Sequence, residues 1–178
     1  MKVSFITPPS LDKFKPAERT AGCTRVVYNM VNIYELTVAA LAEQEGYEVA
    51  YRNFVLEEAS PDQFFSFLEN DDSDVYLLWT VNLSIPTDIQ VERFIHAKRP
   101  ESICIFLGPG ATYFAKSLLG HPASVVVRGE PEDTVRELLR YISEGKDWRT
   151  IVGISFWNEN QVVENAPRPL IKNLDELP

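Results

Sequence analysis

Histidine and cysteine, which commonly bind transition metals, are scarce in this chain. Its 178 residues include two histidines, His96 and His121, and two cysteines, Cys23 and Cys104. Neither cysteine has a histidine or cysteine neighbour at metal-ligand spacing, and Cys104 falls in a predicted buried strand. The sequence therefore predicts no metal site, and it favours a reducing, cytoplasmic location.

Basic charge is also in short supply. Lysine and arginine number 17 against 26 aspartates and glutamates, which gives a formal charge of −9. A surface of this sign repels phosphate backbones and anionic lipids. No long apolar run and no targeting segment follows Met1. We therefore expect neither a nucleic-acid partner nor a membrane span.

The common phosphate-binding and nucleophile motifs are absent as well. The chain has no G-x-x-x-x-G-K-[ST], no G-x-G-x-x-G after the first strand and no G-x-S-x-G. His96 and His121 stand alone, so we interpret both as structural or solvated. The acidic run 69–74 lacks the glycine and the final glutamate of a calcium loop, which favours a solvated helix exit. These absences predict no catalytic residue within this chain.

What the sequence does contain is a regular alternation of short apolar runs and amphipathic stretches. This alternation is typical of βα units wound into a parallel sheet with helices on both faces. It predicts an α/β fold, namely a flavodoxin-like (Rossmann-like) doubly wound sheet of five parallel strands. The predicted strands are 2–7, 47–54, 74–80, 102–108 and 124–129. The last three are almost continuously apolar and are expected at the centre of the sheet.

Helix signals fill the intervals between these runs. Ser60, Pro61 and Gln63 form a capping-box pattern with proline at the first helical position. Pro131 is predicted to open the last helix. The other predicted helices span 27–45, 87–98 and 112–119. In the first of these, the residues expected to face the sheet are Val27, Met30, Val31, Tyr34, Val38 and Leu41.

After residue 146 the pattern changes from βα units to a hairpin. Two strands at 152–157 and 161–166, joined by the turn 158–160, are expected to extend or flank the sheet edge. The predicted organisation is therefore an α/β domain over 1–146, a β-hairpin extension of the same domain over 147–166, and a proline-rich linker over 167–178.

The candidate site is placed by a general rule. In an open parallel sheet, ligands bind beyond the carboxyl ends of the strands. After the third strand, the side chains of Thr80 and Asn82 either contact a ligand or hydrogen-bond to the backbone of the turn. Gly108 and Gly110 either admit a bulky ligand or form a tight turn. Glu130 either caps the following helix or accepts a hydrogen bond from a ligand.

The order of motifs along the chain resembles one family. The first strand ends in T-P-P-S (7–10), G-P-G-A-T (108–112) follows the fourth, V-R-G-E (127–130) precedes the last helix, and N-L-D-E-L-P (173–178) closes the chain. Together these motifs resemble the N-terminal cobalamin-binding domain of radical SAM enzymes. That group contains methyltransferases and the anaerobic magnesium-protoporphyrin monomethyl ester oxidative cyclases.

The resemblance implies a set of cofactor-binding positions. In this sequence they are Pro8, Pro9, Thr80, Val81, Asn82, Gly108, Pro109, Gly110, Ala111, Thr112, Arg128, Gly129 and Glu130. It also implies a corrin lying across the strand ends, with its nucleotide tail in a crevice between the third and fourth loops. The chain has no Asp-x-His-x-x-Gly, so the bound cobalamin would have no protein histidine ligand.

The resemblance also implies a partner that is not in this sequence. In the family a radical SAM barrel follows in the same chain, where three cysteines hold a 4Fe–4S cluster and S-adenosylmethionine binds. This chain has no such cysteine triad, so it would be a module of a larger methyltransferase or cyclase. The alternative is a cobalamin-free interaction or substrate-recognition domain of a radical SAM protein. Leu107 and Gly110 favour that alternative, because the family commonly has glycine and histidine at those positions.

Overall fold

The strands follow the predicted βα pattern closely. A computed structural model describes residues 1–11 and 31–178 of the chain. Within them the strands are β1 Lys2–Thr7, β2 Glu48–Asn53, β3 Val75–Trp79, β4 Ile103–Leu107, β5 Ser124–Val127, β6 Ile154–Asn158 and β7 Gln161–Glu164. Each predicted strand matches one of these to within three residues at either end.

Within the described residues, these strands form one seven-stranded sheet in the order β2-β1-β3-β4-β5-β6-β7. The first five pair in parallel. The hairpin of β6 and β7 adds to β5 in antiparallel fashion. The doubly wound fold, the central position of β3 to β5 and the hairpin on the sheet edge are therefore confirmed. The strand order is that of flavodoxin-like folds.

The helices pack on both faces of the sheet. They are α1 Ile33–Gln44, α2 Pro61–Asn70, α3 Ile85–Lys98, α4 Gly108–Leu118 and α5 Glu132–Ser143. One apolar cluster joins α1 and α5 to strand residues such as Leu77, and a second joins α2, α3 and α4 to alternate residues such as Leu78. Successive side chains of a strand point to opposite faces, so each strand serves both layers.

The first helix begins later than predicted. Asn32 is its N-cap and accepts a hydrogen bond from the backbone of Tyr34. Val38 and Leu41 are buried as expected, but Val31 and Tyr34 are exposed, so the prediction of a sheet-facing stripe was wrong at these two positions. The predicted start at 27–30 lies outside the described residues, as does Cys23.

Local signals were more reliable in the next helix. The side chain of Ser60 accepts from the backbone of Gln63, and Gln63 reciprocates, which confirms the capping box. Pro131 immediately precedes α5, also close to expectation.

The fourth helix corrects the sequence analysis. It begins at Gly108 rather than at residue 112, so the G-P-G-A-T segment is its first turn and not a loop. Pro109 lies at the start of a helix, where its missing N–H has no cost. The helix start therefore lies directly at the end of β4, with no loop between the two elements.

The acidic run after α2 is a second correction. Asp71 and Ser73 are buried, not solvated. The carboxylate of Asp71 accepts hydrogen bonds from the hydroxyls of Ser4 and Ser73, each at 2.6 Å. This segment therefore anchors the sheet at the edge where the parallel strands begin.

Candidate functional site

The carboxyl ends of β1, β3, β4 and β5 meet at one edge of the sheet, which we call the C-terminal edge. Because β1 connects to β2 on one side and pairs with β3 on the other, the winding direction reverses between β1 and β3. Ligands of doubly wound folds bind at such a switch point. Pro8 and Pro9 follow β1 directly and are buried there.

The segments after β3 and β4 pack tightly against each other. The backbone N–H of Thr80 donates to Leu107 at 2.7 Å, and that of Gly110 donates to Thr80 at 2.9 Å. A Cβ on Gly110 would lie 2.7 Å from the backbone of Val81. A Cβ on Gly108, whose φ is +90°, would lie 2.8 Å from the ring of Trp79.

Both glycines therefore allow two segments of the protein to approach each other, because protein atoms fill the space beside them. The predicted crevice between the third and fourth loops is absent at this point.

The side chain of Thr80 is one of the unpaired polar groups near this edge. The residue is completely buried, and among the described residues its Oγ1 has no hydrogen-bond partner. The turn itself is satisfied by Ser84, whose hydroxyl accepts from the backbone of Val81 at 3.0 Å. Asn82 is exposed. The hydroxyl of Thr80 therefore does not satisfy the backbone of this turn.

The residues after β5 are mostly engaged in holding the protein together. The guanidinium of Arg128 donates to the carbonyls of Ile154 and Asn165. The backbone N–H of Gly129 donates to the hydroxyl of Thr112 at 3.0 Å, which links this segment to α4. Ala111 is buried in the same helix.

Glu130 does not cap α5 as one alternative predicted. One of its carboxylate oxygens accepts a hydrogen bond from the backbone N–H of Ile171 at 2.7 Å. The N-terminal residue of α5 has no side-chain cap. The carboxylate therefore binds the C-terminal segment of the chain.

Sequence reasoning missed a buried carboxylate beside the switch point. Glu35, on the sheet-facing side of α1, is fully buried and accepts from Thr7 at 3.0 Å and from Tyr51 at 2.8 Å. Burial and then the charge of Glu35 raise the pKa of Tyr51 to about 12. The available signal was its spacing, because Glu35 precedes the buried Val38 and Ala42 by three and seven residues.

Exposed apolar side chains surround the same edge. Tyr34 stacks on Trp79, with ring centroids 5.6 Å apart and planes inclined by 9°. The exposed apolar residues in the segments that leave the C-terminal edge, which we call the edge patch, are Ile33, Tyr34, Leu83, Tyr113 and Phe114. Exposed apolar side chains mark a binding surface when they form one contiguous patch.

Both histidines belong to the opposite edge of the sheet. The Nε2 atom of His96 lies 3.0 Å from the hydroxyl of Ser124, the first residue of β5, and that hydroxyl donates to Glu92 at 2.6 Å. The ring of His96 stacks on that of His121 at 3.7 Å. Burial, followed by the nearby His121, lowers the pKa of His96 to about 4. His96 is therefore part of a buried network, and the expectation that the two histidines stand alone was wrong, because their rings are stacked.

The described part of the chain has neither a metal-binding cluster nor a membrane-spanning helix. No group of three or more histidine, cysteine or acidic side chains there could hold a metal ion. No helix in residues 1–11 and 31–178 is long and apolar enough to cross a bilayer. Cys104 is buried, and burial raises the pKa of its thiol, so it is an unreactive core residue.

The fold is that of a flavodoxin-like, doubly wound α/β domain. No family model matches the chain. Among curated proteins, it is 24% identical over 185 aligned positions to an uncharacterized methyltransferase of Pyrococcus horikoshii, covering 100% of this chain and 37% of that protein. It is 29% identical over 92 residues to the anaerobic magnesium-protoporphyrin IX monomethyl ester cyclase of a Synechocystis species, covering 51% of this chain and 18% of that protein.

Solved structures show the same relationship at the level of fold. The radical S-adenosylmethionine methyltransferase TsrM of Kitasatospora setae, with cobalamin and a [4Fe-4S] cluster bound, matches with a TM-score of 0.71 and 14% identity over 99% of this chain and 30% of that one. The cobalamin-dependent radical enzyme OxsB matches with a TM-score of 0.67 and 14% identity over 95% of this chain and 22% of that one. The predicted resemblance to cobalamin-dependent radical SAM enzymes is thus confirmed, and the chain spans between 18% and 37% of the length of these relatives.

Proposed function

We propose that this chain is the cobalamin-binding N-terminal module of a radical SAM enzyme. The observation that carries this proposal is the buried, unpaired hydroxyl of Thr80 at the carboxyl end of a central strand, in a fold shared with cobalamin-dependent enzymes. A buried hydroxyl without a partner is unfavourable by roughly 1–3 kcal/mol, so a ligand that supplies the partner is favoured.

The residues of the C-terminal edge fit such a ligand. A corrin is broad, flat and largely apolar, and the exposed side chains of Tyr34, Leu83 and Tyr113 offer apolar surface for it. Thr80 would hydrogen-bond the nucleotide tail, which would enter at the switch point between β1 and β3. When bound, cobalamin would supply a methyl group or an electron to a substrate held elsewhere in the enzyme.

No histidine of this chain is placed to ligate the cobalt. Both His96 and His121 lie at the opposite edge of the sheet, and the sequence has no third histidine. The cofactor would therefore bind without a protein histidine ligand. This agrees with the absence of Asp-x-His-x-x-Gly.

The rest of the enzyme is part of the proposal. A radical SAM barrel in the same chain would hold S-adenosylmethionine and a 4Fe–4S cluster, and the complete protein would carry out methyl transfer or oxidative cyclisation. The two curated relatives, a methyltransferase and a cyclase, represent these two reactions. A cytoplasmic location remains a prediction from the sequence.

One observation favours the alternative, a cobalamin-free interaction domain. The space beside Gly108 and Gly110 is filled by protein, and Leu107 replaces a glycine that the family commonly has. In that case the edge patch would contact protein rather than corrin.

Titration with hydroxocobalamin tests the two functions. The chain is mixed with the corrin and desalted, and the absorbance spectrum of the protein fraction is recorded. We expect retained corrin in the base-off form, because no histidine is available and the tail is held by the sheet. Cobinamide, which lacks the nucleotide tail, serves as the control and should be retained poorly. A folded chain that retains neither corrin would favour the interaction domain.

A further inference from the structure

The C-terminal segment is attached to the domain over a series of residues. We call residues 165–172 the strap. The side-chain amide of Asn165 donates to the carbonyls of Arg149 at 2.8 Å and Ile151 at 2.6 Å. The backbone N–H of Gly153 donates to Ala166 at 2.7 Å. These bonds hold the beginning of the strap against the segment that leads into β6.

Two charged contacts hold the rest of the strap. Arg168 forms an ion pair with Glu137 of α5, in which both side chains are less than a third exposed. Beyond it, Glu130 accepts the backbone N–H of Ile171. Gly153 adds a steric constraint, because a Cβ there would lie 3.1 Å from the Cβ of Arg168. A segment with this many contacts follows one path along the domain.

Glu130 connects the strap to the candidate site. It follows Gly129, whose N–H donates to Thr112, and Thr112 in turn donates to the carbonyl of Gly108 at 3.1 Å. A continuous chain of contacts therefore runs from the first turn of α4 at the C-terminal edge to Ile171 in the strap. Within that series of contacts, the side chain of Glu130 binds a residue 41 positions away in the sequence.

We propose that Glu130 is a positioning residue: it fixes the strap to the segment after β5, so that whatever follows residue 178 leaves the domain in a direction set relative to the C-terminal edge. This rests on the proposed function, because in a radical SAM enzyme the following barrel must face the corrin. Glu130 then acts on the alignment of two parts of the enzyme and not on the cofactor.

Two substitutions separate this role from cofactor binding. Glu130→Ala removes the acceptor, whereas Glu130→Gln keeps an oxygen for the N–H of Ile171. In the 178-residue chain we expect Glu130→Ala to speed amide exchange at Ile171, measured by NMR, by about tenfold. Tryptic cleavage after Lys172 should accelerate in parallel. Glu130→Gln should restore most of the protection, and Glu164→Ala, at an exposed carboxylate on β7, should change neither rate.

Corrin retention is measured on the same variants. Because the resemblance implied a cofactor-binding role for Glu130, this measurement separates the two roles. Equal retention in wild type and Glu130→Ala assigns Glu130 to the strap, and a loss of corrin in that variant overturns the proposal. An unchanged exchange rate at Ile171 in Glu130→Ala would also overturn it. If wild type retains no corrin but the strap loosens in Glu130→Ala, the attachment stands and the proposed function fails.

Discussion

The two edges of the sheet differ in how certain buried side chains are hydrogen-bonded. At the edge where the parallel strands begin, Asp71 is paired with Ser4 and Ser73, and Glu92 is bonded through Ser124 to His96. At the C-terminal edge, Thr80 keeps a buried hydroxyl without a partner among the described residues.

This contrast has a physical basis. Buried polar groups are normally paired, because an unpaired one forfeits its hydrogen bond to water. A paired cluster therefore stabilises the fold, while an unpaired group beside exposed apolar side chains is better explained by a ligand. The C-terminal edge is therefore the one to test for ligand binding.

The largest loss of stability is expected where the segments after β3 and β4 pack against each other at the C-terminal edge. Gly110→Ala should lower the free energy of unfolding by about 3 kcal/mol, because its Cβ would overlap the backbone of Val81. Urea denaturation measures the change. Gly120→Ala is the matched control, since a Cβ there meets no atom within 4 Å. Equal stability of the two variants would mean that the segments after β3 and β4 do not pack as described.

At the opposite edge, Asp71→Asn should destabilise the protein at neutral pH by about 2 kcal/mol, because it removes a charged acceptor from buried donors. Urea titration measures this loss, and Asp72→Asn, at an exposed carboxylate, should have little effect. Equal losses in the two variants would show that burial of Asp71 is unimportant.

The same carboxylate predicts a pH dependence. Burial alone would raise the pKa of Asp71, but hydrogen bonds from Ser4 and Ser73 and the charge of Lys2 hold it below its ordinary value. Its contribution is therefore present above the unfolded-state pKa of about 3.9 and is lost as the pH falls through the lower folded value. Repeating the urea titrations below pH 4 should bring wild type and Asp71→Asn closer together.

Removing one hydroxyl at each edge should change the free energy of unfolding by about 1 kcal/mol, in opposite directions. Thr80→Val should raise the free energy of unfolding by about 1 kcal/mol, because it removes an unpaired buried hydroxyl, whereas Ser4→Ala should lower it by about the same amount. If the proposed function holds, Thr80→Val should also weaken cobalamin retention by about tenfold. Destabilisation by both substitutions would remove the distinction between the edges.

The smallest stability effect is expected in the edge patch. Tyr113 is 81% exposed, so Tyr113→Ser should change the free energy of unfolding by less than about 0.5 kcal/mol. Its effect should appear instead as lower corrin retention in the desalting assay. A substantial loss of stability would indicate that Tyr113 packs within the protein and does not form a binding surface.

Local signals determined most of the fold from sequence alone. The period of apolar residues placed the strands, and the capping box of Ser60 and Gln63 placed the start of α2, because these features depend on neighbours within a few residues. The turn 158–160 followed from composition, and its Glu159 and Asn160 have positive φ. The motif order was sufficient to indicate the family resemblance.

Tertiary structure alone decided which side chains remain free for function. Glu35 meets Thr7 across 28 residues, Ser4 meets Asp71 across 67, and Glu130 meets Ile171 across 41. No local pattern encodes such pairs, because they form only after the sheet brings distant segments together. The sequence identified Thr80 and Glu130 as candidates. Only the tertiary packing determined that the hydroxyl of Thr80 has no partner and that the carboxylate of Glu130 binds the strap.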